Sequence, residues 1–163
     1  MLIFRQWIGI AAAVVAAIAL FFTPVNPAQA TSFDRQNLRQ QDFSGQDLRE
    51  NDYTRSDLAE ANLSHTNLQG VRLFDATLTK ANLEGADLRG ATLDGARLIR
   101  ANLKDANLAG AYAFNADFRL AEVEGADFTD VMMDPKMNDL LCETAAGTNS
   151  MSGRETRETL LCP

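Results

Sequence analysis

The side chains best suited to chemistry near neutral pH are few in this chain: one histidine and two cysteines among 163 residues. His65 stands between Ser64 and Thr66, with no neighbouring acid to tune it into a general base. Cys142 and Cys162 lack the C-x-x-C spacing of a redox or zinc pair. Asp and Glu number 22, but they recur with a fixed period, so no two stand apart as an acid/base couple. No Ser-His-Asp set, phosphate-binding loop or dinucleotide fingerprint is present. The inventory predicts a non-enzyme with no cofactor and no metal site.

The elements that must position these groups follow from a repeat. Twenty consecutive five-residue units run from Thr31 to Asp130 without insertion or deletion. The central residue of each is apolar: Phe33, Leu38, Phe43, Leu48, Tyr53 and Leu58, then Leu63, Leu68, Leu73, Leu78, Leu83, Leu88, Leu93, Leu98, Leu103 and Leu108, and finally Ala113, Phe118, Val123 and Phe128. Ala occupies the first position of twelve units, and Asp or Asn the second position of thirteen. A period of five leaves no single apolar face on a straight helix, and on a straight strand it sends alternate centres to opposite faces. The chain must therefore bend once per unit, so that each small-x-Leu pair faces one interior. That is a solenoid.

The tandem A-[DN]-L-x-x pattern, clean in Ala81 to Gly90, resembles the pentapeptide-repeat family over residues 31 to 130. The resemblance implies an all-β solenoid: a right-handed quadrilateral β-helix with four units and twenty residues per turn, about five coils here. At an inter-strand spacing of roughly 4.8 Å the rod is about 24 Å long. The narrow interior takes one Leu or Phe per side, with Ala beside it for room. Asp and Asn before the centre bond nearby backbone at the bend, and seven of the ten glycines fall at the last position of a unit, where the chain turns.

Residues 1 to 30 obey a different pattern. Arg5 is their one charge, Trp7 to Phe22 is an apolar run, and Pro24 and Pro27 break it. Ala28-Gln29-Ala30 is a small-x-small site, so the segment reads as a cleavable signal peptide. Cleavage after Ala30 makes Thr31, the first residue of the first repeat, the new terminus. The alternative is an uncleaved membrane anchor, and a membrane is expected to matter only through that uncleaved segment. Removing residues 1 to 30, with Arg5, leaves 133 residues and moves the net charge from −7 to −8.

The repeat domain extends over residues 31 to 133, and residues 134 to 163 form a C-terminal cap. Asp134-Pro135 reads as an N-cap followed by proline at the first helical position. Met137, Leu140 and Leu141 share the face of that helix, and Gly147 can end it. A second short helix is expected from about Arg154 to Cys162. An even cysteine count behind an export signal predicts one disulfide, Cys142–Cys162. A disulfide-linked helix pair at this position is also what exported, thylakoid-lumen-type members of the resembled family imply.

With twenty residues per turn, the outer surface divides into columns. Glu60, Lys80 and Arg100 form one, and Asn62, Asn82 and Asn102 form an amide ladder. Phe74 and Phe114 share a column with Asp94 between them, flanked by Tyr112. These aromatics mark an interaction patch, unless the tail helices or a local flip at the Ala113 unit cover them. Ile99 with Leu120 is a smaller apolar pair. At the other end Gln36, Gln41, Gln46 and Asn51 replace Ala at the inward position, which fits a first coil that is looser or partly open; the alternative is a frayed terminus with no further role. Its free edge is the expected route to a weak dimer, if the protein is not a monomer.

These readings predict an exported structural or protein-interaction module of the thylakoid lumen or periplasm, with an unidentified protein partner. The alternative implied by the resemblance is an acidic, DNA-mimicking rod that binds a DNA topoisomerase, which the export signal disfavours. The negative charge argues against nucleic acid as a direct ligand.

Overall fold

The computed structural model describes residues 31–49 and 51–163. From residue 32 to residue 133 the chain winds so that each unit lies beside the unit twenty residues later, in parallel. The bridges Ser32↔Asp52, Asp52↔Arg72, Arg72↔Thr92 and Thr92↔Tyr112 define one side, and three other series define the other sides. Among the described residues only Tyr112–Ala113 (β1) and Met132–Met133 (β2) form continuous strands, paired in parallel. Elsewhere each pairing is a single residue long, because the chain corners after every unit. The all-β expectation is refined accordingly: the ladder is made of bridges rather than strands.

Every backbone N–H of a unit has a destination, and this accounting explains the repeat. In the unit Ala61 to His65, Ala61 N–H donates to the preceding centre, Leu58 O, at 3.1 Å. Asn62 N–H donates to Gln41 O in the previous turn, and Leu63 and His65 donate to Asn82 O and Glu84 O in the next. That leaves Ser64 N–H, which donates to Asn62 Oδ1 at 3.2 Å. The Asp or Asn before the centre thus accepts the one donor that neither the turn nor the ladder can satisfy. The same contact recurs at Asp52, Asp57, Asn82, Asp87, Asn102 and Asn107, among others.

The fifth position of each described unit has a positive φ, between 53° and 71°, whether or not it is glycine. This left-handed residue makes the corner. The interior is correspondingly regular: the ten leucines from Leu63 to Leu108 are at most 1% exposed, and the alanines beside them are buried. Aromatic centres close both ends of the stack. Phe33 lies parallel to Tyr53 with ring centroids 5.0 Å apart, and Phe118 meets Phe128 edge-on at 6.3 Å.

Beyond the repeats, α1 spans Pro135–Cys142 and α2 spans Thr156–Thr159. Both are shorter than their sequence signals. The first stops at Cys142 rather than near Gly147, whose φ of 82° instead serves a close approach to Gly125. The second occupies four residues of the expected nine, and Leu161 has a φ of 55°, outside helical geometry. Asp134 precedes α1, but its side chain makes no capping bond. Its Oδ2 accepts from Asn115 N–H at 2.7 Å, the position at which a further turn would have offered a carbonyl. Leu141 and Leu160 are buried against the last turn, whereas Leu140 and Leu161 are exposed.

Cys142 and Cys162 are joined by a disulfide with Cα atoms 5.6 Å apart. The loop between the helices is pinned by Asn149, 1% exposed, whose Nδ2 reaches the carbonyls of Asp105, Ala106 and Gly125 at 2.8–3.3 Å.

Candidate interaction face

One side of the rod carries the column Asp52, Arg72, Thr92, Tyr112, Met132, each bridged to the next. Two residues further on lie Thr54, Phe74, Asp94 and Phe114. Between these columns the centres Tyr53, Leu73, Leu93 and Ala113 point inward and are buried. Alternation along each extended segment therefore sends residues 112 and 114 outward on either side of Ala113. Ala113 is 1% exposed, so the unit is not flipped even though its centre is the smallest in the array.

The aromatic side chains stand clear of the tail. Phe74 is 40% exposed, Tyr112 44% and Phe114 46%. Met132, at 45%, continues the Tyr112 column, an apolar member that the sequence reading missed. It could have been found by extending the twenty-residue offset one unit past Asp130, since Met133 keeps the inward register. The face is graded: Arg72 pairs with Asp52 at 3.0 Å near one end, and the apolar groups gather toward the other.

Asp94 has a structural task here. The Tyr112 unit lacks Asp or Asn before its centre, so Phe114 N–H has no local acceptor; Asp94 Oδ1, one turn earlier, accepts it at 2.8 Å. This bond holds the Phe114 backbone while its ring is exposed. With the Asp94 and Asp134 carboxylates both engaged by backbone donors, the face presents aromatic and thioether groups supported by fixed backbone.

The remaining sides are polar. The amide ladder runs from Asp42 through Asn62 and Asn82 to Asn102, each Nδ2 donating to the Oδ1 below at 3.1–3.4 Å. Asp47, Asp87 and Asp117 each accept from the Nε and Nη2 of the arginine two residues on, as well as from its backbone N–H. Those arginine bonds hold Asp47 and Asp117 below the ordinary carboxylate range; at Asp87 burial opposes them, but they and Gln69 prevail. Lys104 pairs with Glu122 at 2.7 Å. A smaller apolar groove lies between α1 and the last turn, lined by Phe118, Leu120, Val123 and Leu140. Ile99 is half-buried beside it, while Leu120 is 70% exposed.

His65 is exposed at a corner, stacked over Gly85. Among the described residues no group of three or more His, Cys, Asp or Glu could hold a metal ion, and no helix is long and apolar enough to cross a membrane. Thr31 begins the described rod. Ala28, Ala30 and the rest of the expected signal segment lie outside the described residues.

Comparison with known proteins agrees with this geometry. Pentapeptide repeats match in eight copies over residues 56–95 and 92–130. A pentapeptide repeat protein from the Arabidopsis thaliana thylakoid lumen is 44% identical, covering 79% of this chain and 90% of that one, with a TM-score of 0.78. A pentapeptide repeat protein from Nostoc is 29% identical over 77% of this chain and 95% of that one, with a TM-score of 0.56. The thylakoid lumenal protein TL20.3, chloroplastic, of Arabidopsis thaliana is 45% identical over 42 residues, 26% of this chain. That match spans only 15% of the relative's length.

Proposed function

This chain belongs to the pentapeptide-repeat family, and on that footing we propose that it is an exported, non-catalytic interaction module of the thylakoid lumen. In this reading residues 1–30 are a signal removed after Ala30, and residues 31–133 are a right-handed quadrilateral β-helix of about five coils. Residues 134–163 cap it and carry the disulfide. The lumenal relatives support the compartment, and a disulfide accords with an oxidising space; a bacterial periplasm would accommodate the same chain.

The observation that carries the interaction reading is the face bearing Phe74, Tyr112, Phe114 and Met132, four large apolar side chains each at least 40% exposed. A solenoid can solvate its outward positions with polar residues, as the other sides mostly do, Ile99 and Leu120 excepted. Aromatic groups held on a rigid ladder lose little entropy on docking, and they are the residue types that dominate interface energetics. The partner is a protein surface with an apolar patch, approached face to face rather than as an inserted peptide.

The test is capture from the lumenal fraction with the protein recovered from its own host. Wild type should retain a partner that Phe74→Ser/Phe114→Ser loses, while the double variant keeps the wild-type melting temperature. Identical partners for the two would overturn the assignment of this face.

A further inference from the structure

The two ends of the rod are not equivalent in hydrogen bonding. At the C-terminal end the tail meets three donors of the last turn: Asp134 takes Asn115 N–H, Ala146 O takes Gly125 N–H, and Thr159 Oγ1 takes Phe128 N–H. At the N-terminal end no described segment lies beneath the first turn.

The first turn's edge has a definite composition. In the second turn, Asp52 N–H donates down to Thr31 O, while Asp52 O and Thr54 O accept from Phe33 and Arg35 below. Thr31 and Arg49 apart, the equivalent groups of the described first turn have no such partners. Ser32, Asn37, Asp42 and Asp47 each present an N–H and a carbonyl to the open side, and Asp34, Arg39 and Ser44 add carbonyls. Gln46 Nε2 approaches Asp42 O at 3.5 Å. Above this edge the centres Phe33, Leu38 and Phe43 are only partly buried, in contrast to the sealed leucines further along.

We infer that this open edge is a self-association face whose occupant is the same edge of a second copy, related by a two-fold axis. Two edge residues that each show both N–H and C=O can exchange two bonds as an antiparallel pair. That accounts for residues 32, 37, 42 and 47 but leaves carbonyls in excess. Gln36, Gln41 and Gln46 supply what is lacking. They occupy the inward position that Ala fills elsewhere, are exposed, and bring amide donors to the rim of the apolar floor. Charge favours the same pairing. Residues 31–50 contain four acids and three arginines, a net of −1, whereas residues 111–163 contain ten acids and four bases, a net of −6. Two N-terminal ends approach with little repulsion; two C-terminal ends do not. The contact is small, which places the dimer among weak, reversible associations of under about 1,200 Å².

Sedimentation of the protein as recovered from its host, over a concentration series, reads the equilibrium, with intact mass recording the N-terminal residue of each species. The inference expects a concentration-dependent dimer. It also expects Gln36→Glu/Gln41→Glu/Gln46→Glu to weaken that dimer about tenfold or more, a change of roughly 1.4 kcal/mol, without altering circular dichroism. Phe74→Ser/Phe114→Ser should dimerise like wild type, which separates this face from the aromatic one. A dimer in chains that retain residues 1–30 supports the inference and overturns the cleavage reading instead. Monomer at every concentration, or a triple variant that dimerises as wild type does, overturns the inference.

Discussion

At the scale of single residues, the corners show how little of the backbone's demand is visible in residue type. Seven glycines mark the fifth position, yet arginine, lysine, glutamate and even Leu120 adopt the same left-handed conformation. Each such non-glycine residue bears a cost of roughly 1–2 kcal/mol that the neighbouring ladder bonds offset. Period, not composition, locates the corners. Glycine matters beyond its φ where the side chain stacked on it occupies the space a Cβ would take. A Cβ on Gly85 would lie 2.5 Å from His65 Nδ1, and one on Gly95 would run into Asp75 Oδ1. Gly90 has open space beside it at a similar φ of 65°. Gly95→Ala should therefore cost about 1–2 kcal/mol from backbone conformation, plus the displacement of Asp75. Gly90→Ala should cost only the backbone part. Chemical denaturation of the two variants side by side checks this; equal losses would show that stacking is irrelevant at the corner.

At the scale of elements, the pentads were readable because each has one inward residue and one local acceptor, a pattern that survives any substitution outside. The tail was harder, since its signals are local while its bonds are not. Asp134-Pro135 carries every mark of a helix start, and a helix does start there, but the carboxylate is taken by Asn115 across the turn. Met132 was missed although the register runs to Met133, because the outward columns were followed only as far as the last complete unit, which ends at Asp130. The expected helix over 154–162 shrank to four residues because Thr159 and Asn138 turn their polar groups to the Phe128 N–H and the Leu160 carbonyl. The expectations of an export signal and of one disulfide come from composition and cysteine count alone, but the way the loop is pinned does not. Asp127 joins the tail to the rod. Burial alone would raise its pKa, yet bonds from Ser152 and Thr129, with Arg154 nearby, bring it below the ordinary 3.8. A carboxyl depressed on folding stabilises above its unfolded pKa, and that contribution is lost as pH falls through the folded value. Melting temperature should thus drop as pH is lowered below about 4. Asp127→Asn should be less stable than wild type at pH 7 and should show a shallower acid decline. A parallel decline in both proteins would remove Asp127 from the account.

At the scale of the whole molecule, the rod is a one-dimensional stack in which each turn touches only its neighbours, so stability is a chain of interfaces. Such arrays can lose cooperativity and melt from an end. This one is short: buried leucines run unbroken from Leu58 to Leu108, and the described corners from Arg35 to Gly110 repeat the same bond to the next turn. The free energy of opening any one interface then exposes apolar area on both of its sides, which favours all-or-none unfolding. A rigid unit of this kind suits a face meant to hold Phe74 and Phe114 two turns apart, because a frayed array would let that spacing drift. Leu83, 0% exposed near the middle, is the site that decides. Leu83→Ala leaves a cavity with no mobile neighbour to fill it and should cost about 2–5 kcal/mol. If the stack is one cooperative body, calorimetry of this variant gives a single transition at lower temperature, with near- and far-ultraviolet signals moving together. Two resolved transitions would mean that the turns on either side of Leu83 fold separately, and the aromatic face, which spans that break's upper half, would then need its partner to stay in register.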